Sequence, residues 1–298
     1  MCSFYRCLMK ANGTAIREWD LEHGHRYDSA LAGCSSLQAA VLRALKIENG
    51  NAWDMHCALM AWDMEKFYDS IDFEILAEEL IERDFPPELL VIGMLAHQAP
   101  IILKVGACIS EPIVSTGNSI VAGCQASVSF ARGLLWNLID RLTHAIPGDL
   151  PHEHVDDIAQ PLVAPSSLAL RSKVILAGTI VGKEVARLKI KLSPKSVVVP
   201  ISAATKSAAE HLGKMETPVW LRVSDTVDDV GVEMGGGRRR MAKIQNKRIR
   251  NKARKRARRT KQLVRRNRLA LKFVMTGVPP SSHTATLSPG HRLNKCAT

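Results

Sequence analysis

The sequence predicts an α+β fold in which an antiparallel sheet is backed by helices. Two observations carry this. Short strand-like segments at 57–62, 152–163 and 196–199 alternate with longer segments of helical period, in the order strand–helix–helix–hairpin–helix–hairpin–helix–strand. In addition, 46% of the 298 residues are hydrophobic, enough to bury a core in one large domain or two small ones.

Residues 1–56 are mixed and weakly periodic, with a helix expected at 35–47 where Leu37, Val41 and Leu45 recur at i, i+4. Cys57–Trp62 reads as a short buried strand that ends directly at Asp63. Asp72 is placed to cap the next helix, whose apolar face holds Phe73, Ala77, Leu80 and Ile81. Pro86-Pro87 restarts the chain into a helix over 88–97, and 99–115 reads as a hairpin turning near Gly106. A long helix follows Gly117 and Gly123, with Val128, Ala131, Leu135 and Leu138 on one side. Pro147, Gly148 and Pro151 end it. Two short strands over 152–163 then place Asp156-Asp157 at or near their connection, and a helix over 166–187 leads to a strand at Ser196–Val199. Past Gly235-Gly236-Gly237 a segment reaching to about residue 275 lacks proline and is compatible with helix. The Pro-, Ser- and Thr-rich tail from 277 reads as disordered.

Charge is concentrated in one place. Residues 238–268 hold 17 of the 41 Lys and Arg and none of the 29 Asp and Glu, so the rest of the chain carries 24 basic residues against 29 acidic. Such a run attracts a polyanion, and Arg238, Arg239, Arg240, Lys247, Arg248, Arg254, Lys255, Arg258 and Arg259 are candidate contacts to a nucleic-acid backbone. It has no aromatic residue, which argues against base stacking there; a nuclear localisation signal and a solvated tail are the other readings. Seven scattered cysteines with no C-x-x-C support neither a zinc ribbon nor a disulfide framework. The expected setting is intracellular, with nuclear as an option, and neither a membrane span nor a secretory signal is expected.

The carboxylates carry the chemistry. An Asp-Asp pair alone is usually a solvated turn. Here, however, Asp63 and Asp156-Asp157 sit at separate strand ends, and strand ends of one sheet can converge. Clustered carboxylates repel one another, and a bound hard cation removes that cost.

At these residues the chain resembles the reverse transcriptase family. Asp63-Met-Glu-Lys-Phe-Tyr68-Asp69-Ser-Ile-Asp72 is similar to the first palm motif, and 117–136, with Gly123-Cys-Gln125, to the glycine-plus-helix motif. His154-Val-Asp156-Asp157 resembles the aromatic-x-Asp-Asp hairpin, though a histidine stands at the aromatic position. Leu192-Ser-Pro-Lys195 leading into Val197–Val199 resembles the next motif, and Asp229-Val-Gly231-Val is a weaker match to the segment that opens the thumb. The match covers 57–199 well and 16–276 loosely; its character is that of a truncated, retroelement-type copy of the kind found in protist genomes. It implies a palm over 57–234, a partial fingers-like region at 1–56, a thumb-like basic helical segment at 235–276 and the tail at 277–298.

The resemblance also implies roles. Asp63 and Asp156 would hold two Mg²⁺ (or Mn²⁺) ions, with Asp157 supporting. Tyr68 would crowd the nucleotide 2′-position. Gly123 and Gln125 would line the template and nucleotide pocket, with Arg17 a remnant of the fingers. Lys195 would protonate the leaving pyrophosphate or hold its charge. The implied partners are an RNA template, a DNA or RNA primer and deoxynucleoside triphosphates; the implied reaction is RNA-directed DNA synthesis. The alternative is a retroelement-derived nucleic-acid-binding protein without catalysis. Oligomeric state leaves no signal in the sequence.

Overall fold

The computed structural model describes residues 3–25, 27–114, 117–121, 123–229 and 232–235, together with Arg258, Arg259 and Gln262. In chain order the helices and strands are α1 (Ser3–Ala11), α2 (Gly13–His23), α3 (Ser36–Ala52), β1 (His56–Trp62), α4 (Phe67–Ser70), α5 (Phe73–Glu82), α6 (Pro87–Gln98), β2 (Lys104–Val105), β3 (Cys108–Ile109), α7 (Ser127–Ala145), β4 (His152–His154), β5 (Asp157–Ala164), α8 (Ser167–Arg187), β6 (Val197–Val199), α9 (Ala203–Leu212), β7 (Arg222–Val223), β8 (Thr226–Asp229) and β9 (Val232–Gly235).

Local chemistry sets several of these boundaries. The Asp72 Oδ1 accepts from the backbone N–H of Glu74 and Ile75 at 3.0 and 3.3 Å, so α5 begins where the sequence predicts its cap. Pro87 opens α6, where its missing N–H costs nothing. Ser166 caps α8 through Ala169, and Ser202 with Thr205 forms a capping box on α9.

The main sheet has the order β4-β5-β1-β6-β7. The first four strands pair antiparallel, as expected, but β7 joins β6 parallel. The sheet is therefore mixed. The reason lies in 203–223, to which the sequence reading assigned no element: α9 lifts the chain off the sheet after β6 and returns it in the same direction. Gly178 lets α9 pack closely on α8, since a Cβ there would come within 2.4 Å of a Leu212 methyl.

Both faces of the sheet are covered. One face presents Ala58, Met60, Trp62, Ile158, Leu162 and Val198 to a large core with Phe130, Leu134, Leu135 and Leu138 of α7 and Val174 and Val181 of α8. Tyr5, Met9, Ile16 and Trp19 of α1 and α2 belong to that same core. The other face packs Cys57, Leu59, Ala159, Val197 and Val199 against Ala40 and Ile47 of α3 and Met234 of β9. Coverage on both sides explains why β1 reads as an unbroken apolar run and not as an alternation. No helix among the described residues is long and apolar enough to cross a membrane.

Two imidazoles, His97 buried and His152 half-buried, make the fold sensitive to acid. His97 and His152 are each pushed down to about 4, His97 by burial and His152 by burial with Arg43 and Lys46 adding to it. His97 Nδ1 accepts the Val121 N–H at 3.0 Å, a bond that requires a free lone pair on that nitrogen. Folded values below the unfolded value of 6.5 mean that the unfolded chain takes up protons first. The stability these groups contribute is thus full above 6.5 and is lost as pH falls toward 4. Urea unfolding at pH 7, 6 and 5 should show stability dropping by about 1 kcal/mol per pH unit for each histidine. A flat profile over that range would contradict the assignment.

Candidate active site

Asp63 is held by the strand it follows and by the turn before β6. Its carbonyl accepts from the Ser193 N–H at 2.7 Å and from the Ser196 hydroxyl at 3.1 Å, and Ser196 Oγ also lies 3.1 Å from the Asp63 N–H. The next residues continue the contact, with a bridge from Met64 to Leu192 and the Glu65 N–H donating to Lys191 O at 2.8 Å. These bonds occupy the Asp63 backbone on both sides and leave its carboxylate free to reach the end of the sheet. There it meets the Lys195 ammonium, 3.6 Å away and largely exposed.

Asp156 arrives from the other direction. The β1–β5 ladder pairs Trp62 with Ile158, so one further step sets Asp63 across from Asp157, beside the turn that carries Asp156. That turn is tight: His154 pairs with Asp157, and Val155, one of the two residues between them, has φ +62°. A β-branched residue is strained in this left-handed region, typically by about 1–3 kcal/mol, and such strain concentrates at functional sites. Asp156 is half-buried; its carboxyl is raised above the ordinary range first by burial and further by the charge of Asp63, while His154 pulls the other way. Asp63 and Asp156 are thus electrostatic neighbours. Asp157 is exposed at the first position of β5.

Tyr68 lies next to this pair. Burial raises its phenol, the Asp156 charge raises it further, and a hydrogen bond with Ser127 opposes them, so the ring stands as a neutral wall. It packs edge-on to Phe67 at 5.4 Å, and its carbonyl accepts from Ile120 at 2.9 Å. Through that bond, and through Ser119 donating to Ile71 at 3.0 Å, the segment after Gly117 runs along the Asp63–Asp72 motif. Gly123 turns this segment toward α7 with φ +81°, a conformation that favours glycine. Gln125 is exposed, and its amide lies against Gly13, where a Cβ would come within 3.0 Å of Nε2. Arg17, also exposed, follows Gly13 by one helical turn on α2. The structure therefore gathers Asp63, Asp156, Tyr68 and Lys195 at one end of the sheet, with Gln125 and the Gly13–Arg17 face of α2 linked to each other.

The sequence reading missed the groups that brace the hairpin. Residues 27–29 run along the outer edge of β4: Ser29 N–H donates to Glu153 O at 2.8 Å, Glu153 N–H donates to Tyr27 O at 3.3 Å, and Ser29 Oγ lies 3.2 Å from His154 Nδ1. Asp28 is buried there and accepts from Arg132 Nε at 2.6 Å. A Tyr-Asp-Ser string in a loop carried no signal for this role.

Among the described residues no three His, Cys, Asp or Glu side chains are gathered to hold a metal ion. Two carboxylates are the arrangement Mg²⁺ commonly uses, since it keeps several waters and takes remaining ligands from substrate phosphates. The oxygen donors of Asp63 and Asp156, whose mutual repulsion a cation would relieve, fit that pattern. Of the proposed backbone contacts, Arg258 and Arg259 are exposed helical residues; Arg238, Arg239, Arg240, Lys247, Arg248, Arg254 and Lys255 lie outside the described residues.

No family model matches the chain, and no curated protein matches it. It is similar to solved structures of telomerase. Apo telomerase from Candida tropicalis truncated from its C-terminal domain is 14% identical, with a TM-score of 0.45 over 78% of this chain and 43% of that one. Apo telomerase from the same organism is 12% identical, with a TM-score of 0.49 over 78% and 38%. Telomerase from Candida albicans, in complex with a TWJ fragment of telomeric RNA, is 12% identical, with a TM-score of 0.45 over 95% and 48%. This chain spans less than half the length of each of these chains.

Proposed function

We propose that the chain is the palm of an RNA-directed DNA polymerase, which adds deoxynucleotides to a primer 3′-hydroxyl. The observation that carries this reading is the meeting of Asp63 and Asp156 at one sheet end, close enough that one charge raises the other's carboxyl. Asp63 and Asp156 would hold the divalent ions, Mg²⁺ or Mn²⁺, with Asp157 supporting. When bound, these ions would neutralise the triphosphate and favour ionisation of the 3′-hydroxyl.

The chain's own residues do the rest. Tyr68 stays protonated beside Asp156 and limits the space at the sugar 2′-position. Lys195 is exposed and already beside Asp63, so it can turn to the leaving pyrophosphate, hold its charge or give it a proton. Gly123 and Gln125 line the approach, and Arg17 meets the triphosphate. The test is primer extension on an RNA template with deoxynucleoside triphosphates and either metal. Extension is expected; its absence with both metals, alongside retained nucleic-acid binding, would leave the second reading.

That second reading is a nucleic-acid-binding protein without catalysis. One observation favours it: Asp63 already has a counter-charge in Lys195. Both readings use the basic run at 238–268 for phosphate contacts. Affinity for a mixed-sequence duplex should fall by at least about 10³-fold between 50 and 200 mM salt if six or more phosphates are neutralised. Affinity that barely changes over this range would sink the phosphate-contact role.

A further inference from the structure

We propose that Trp220 is a stacking platform for a base of the nucleic-acid strand whose end is presented to Asp63, a reading that rests on the proposed function. The chain has five tryptophans. Trp19 and Trp62 are buried at 4% and 2% exposure, and Trp136 is half-buried with its Nε1 donating to His23 O. Trp220 is 73% exposed, outside both cores. A large aromatic ring left in water offers an apolar face on which a base can stack.

Strand registers decide where Trp220 stands. Val197 of β6 pairs with Arg222 of β7 in parallel, and the Arg222 N–H donates to Ser196 O at 3.0 Å. Lys195 and Trp220 thus precede neighbouring parallel strands at the same end of the sheet, each by the same number of residues. β1 runs antiparallel to β6, so Asp63, which follows β1, lies at that end too. Two strand spacings, about 10 Å, separate β7 from β1. The ring is also held: it rests on Gly213 at the end of α9, where a Cβ would come within 3.0 Å of it. Part of the ring thus lies against Gly213, and most of the residue is open to solvent.

The surroundings suit a polyanion. Lys191, Lys195, Lys214 and Arg222 are exposed on the flanking segments, against Glu216 and Asp225, and Asp225 lies past the far end of β7. Exposed cations tracking a backbone, with an aromatic face for the bases, are what binds single strands without sequence preference.

Trp53 supplies an internal control. It is 76% exposed, but it precedes β1 and so sits at the opposite end of that strand from Asp63. The experiment measures anisotropy of a labelled mixed-sequence single-stranded DNA of about 12 nucleotides, with full-length protein and no metal or nucleotide. Trp220→Ala should weaken binding about tenfold, Trp220→Phe should stay within about threefold of wild type, and Trp53→Ala should leave it unchanged. The Trp220→Ala ratio should persist at high salt, where phosphate contacts fade but stacking does not. Circular dichroism checks the fold, and the Phe variant keeps the comparison usable if the Ala variant is damaged. Equal binding by wild type and both Trp220 variants, equal losses at Trp53 and Trp220, or no binding by wild type would each overturn the proposal. Because nothing in this assay requires polymerisation, a loss confined to Trp220 in a protein that extends no primer would reject catalysis and leave the stacking site standing.

Discussion

Replacing Asp156 by asparagine is expected to abolish primer extension, by about 10³-fold or more, as loss of a residue acting in a catalytic unit does. The same change should leave the fold intact or stabilise it. Burial and the neighbouring Asp63 charge raise the Asp156 carboxyl above its ordinary value. The folded state therefore holds that proton more tightly than the unfolded chain, and stability falls as pH rises past the unfolded value of 3.8. Asparagine removes that penalty at neutral pH. Activity and stability should consequently move in opposite directions, the mark of a residue kept for chemistry and not for structure. Asp63→Asn should lose activity to a similar degree. Asp157→Asn should lose less, because Asp157 is exposed. Thermal melts beside extension assays decide it: an Asp156→Asn enzyme that extends primers at the wild-type rate removes Asp156 from the chemistry. A variant that melts well below wild type would mean instead that the carboxylate is structural.

What could be read in the sequence was whatever depends on neighbours in the chain. The Asp72 cap, the proline start of α6 and the strand ending at Asp63 all have signals within four residues, and the structure contains each. The β4–β5 hairpin was likewise expected, with Asp156-Asp157 at or near its connection. The antiparallel expectation failed at β7 because α9, Ala-rich and small-faced, shows no leucine stripe; its Ser202–Thr205 capping box was the signal available. Helices α1 and α2 were hidden for a related reason, since among the described residues their buried core members are few, Tyr5 and Met9 in α1 and Ile16 and Trp19 in α2. Least legible was the support of the site. Arg132 looked like one more residue of an apolar helix, yet its partners Asp28 and Asp20 lie 104 and 112 positions away. Periodicity carries no information at that range.

Those partners make Arg132 the position where one substitution should cost the fold most. Arg132 is 2% exposed on α7 and reaches two carboxylates, Asp28 through Nε and Asp20 through a terminal nitrogen. Glu153, fully buried on β4, feels the same charges: burial and Asp28 push its carboxyl well above the usual range, and Arg132 opposes them. Glu153 thus resists taking up a charge beside the ion pair of Asp28 and Arg132. Removing the guanidinium strands Asp28 as an uncompensated buried charge. Breaking such a pair from one side typically costs about 3–5 kcal/mol, far more than the pair's net worth when intact. Arg132→Met, close in volume, should destabilise by that amount in urea unfolding at pH 7. Arg132→Lys should fall between, since one ammonium cannot reach both carboxylates with the same fork. The effect should extend beyond stability, because Asp28 belongs to the segment hydrogen-bonded along the free edge of β4. Loosening that segment loosens the hairpin that aims Asp156, so a folded Arg132→Lys protein should lose extension rate while keeping nucleic-acid affinity. Asp28→Asn tests the account from the other side. It leaves Arg132 paired with Asp20 alone, removes the repulsion on Glu153, and should cost less than Arg132→Met. If Asp28→Asn proves the more damaging of the two, the network is not organised around Arg132.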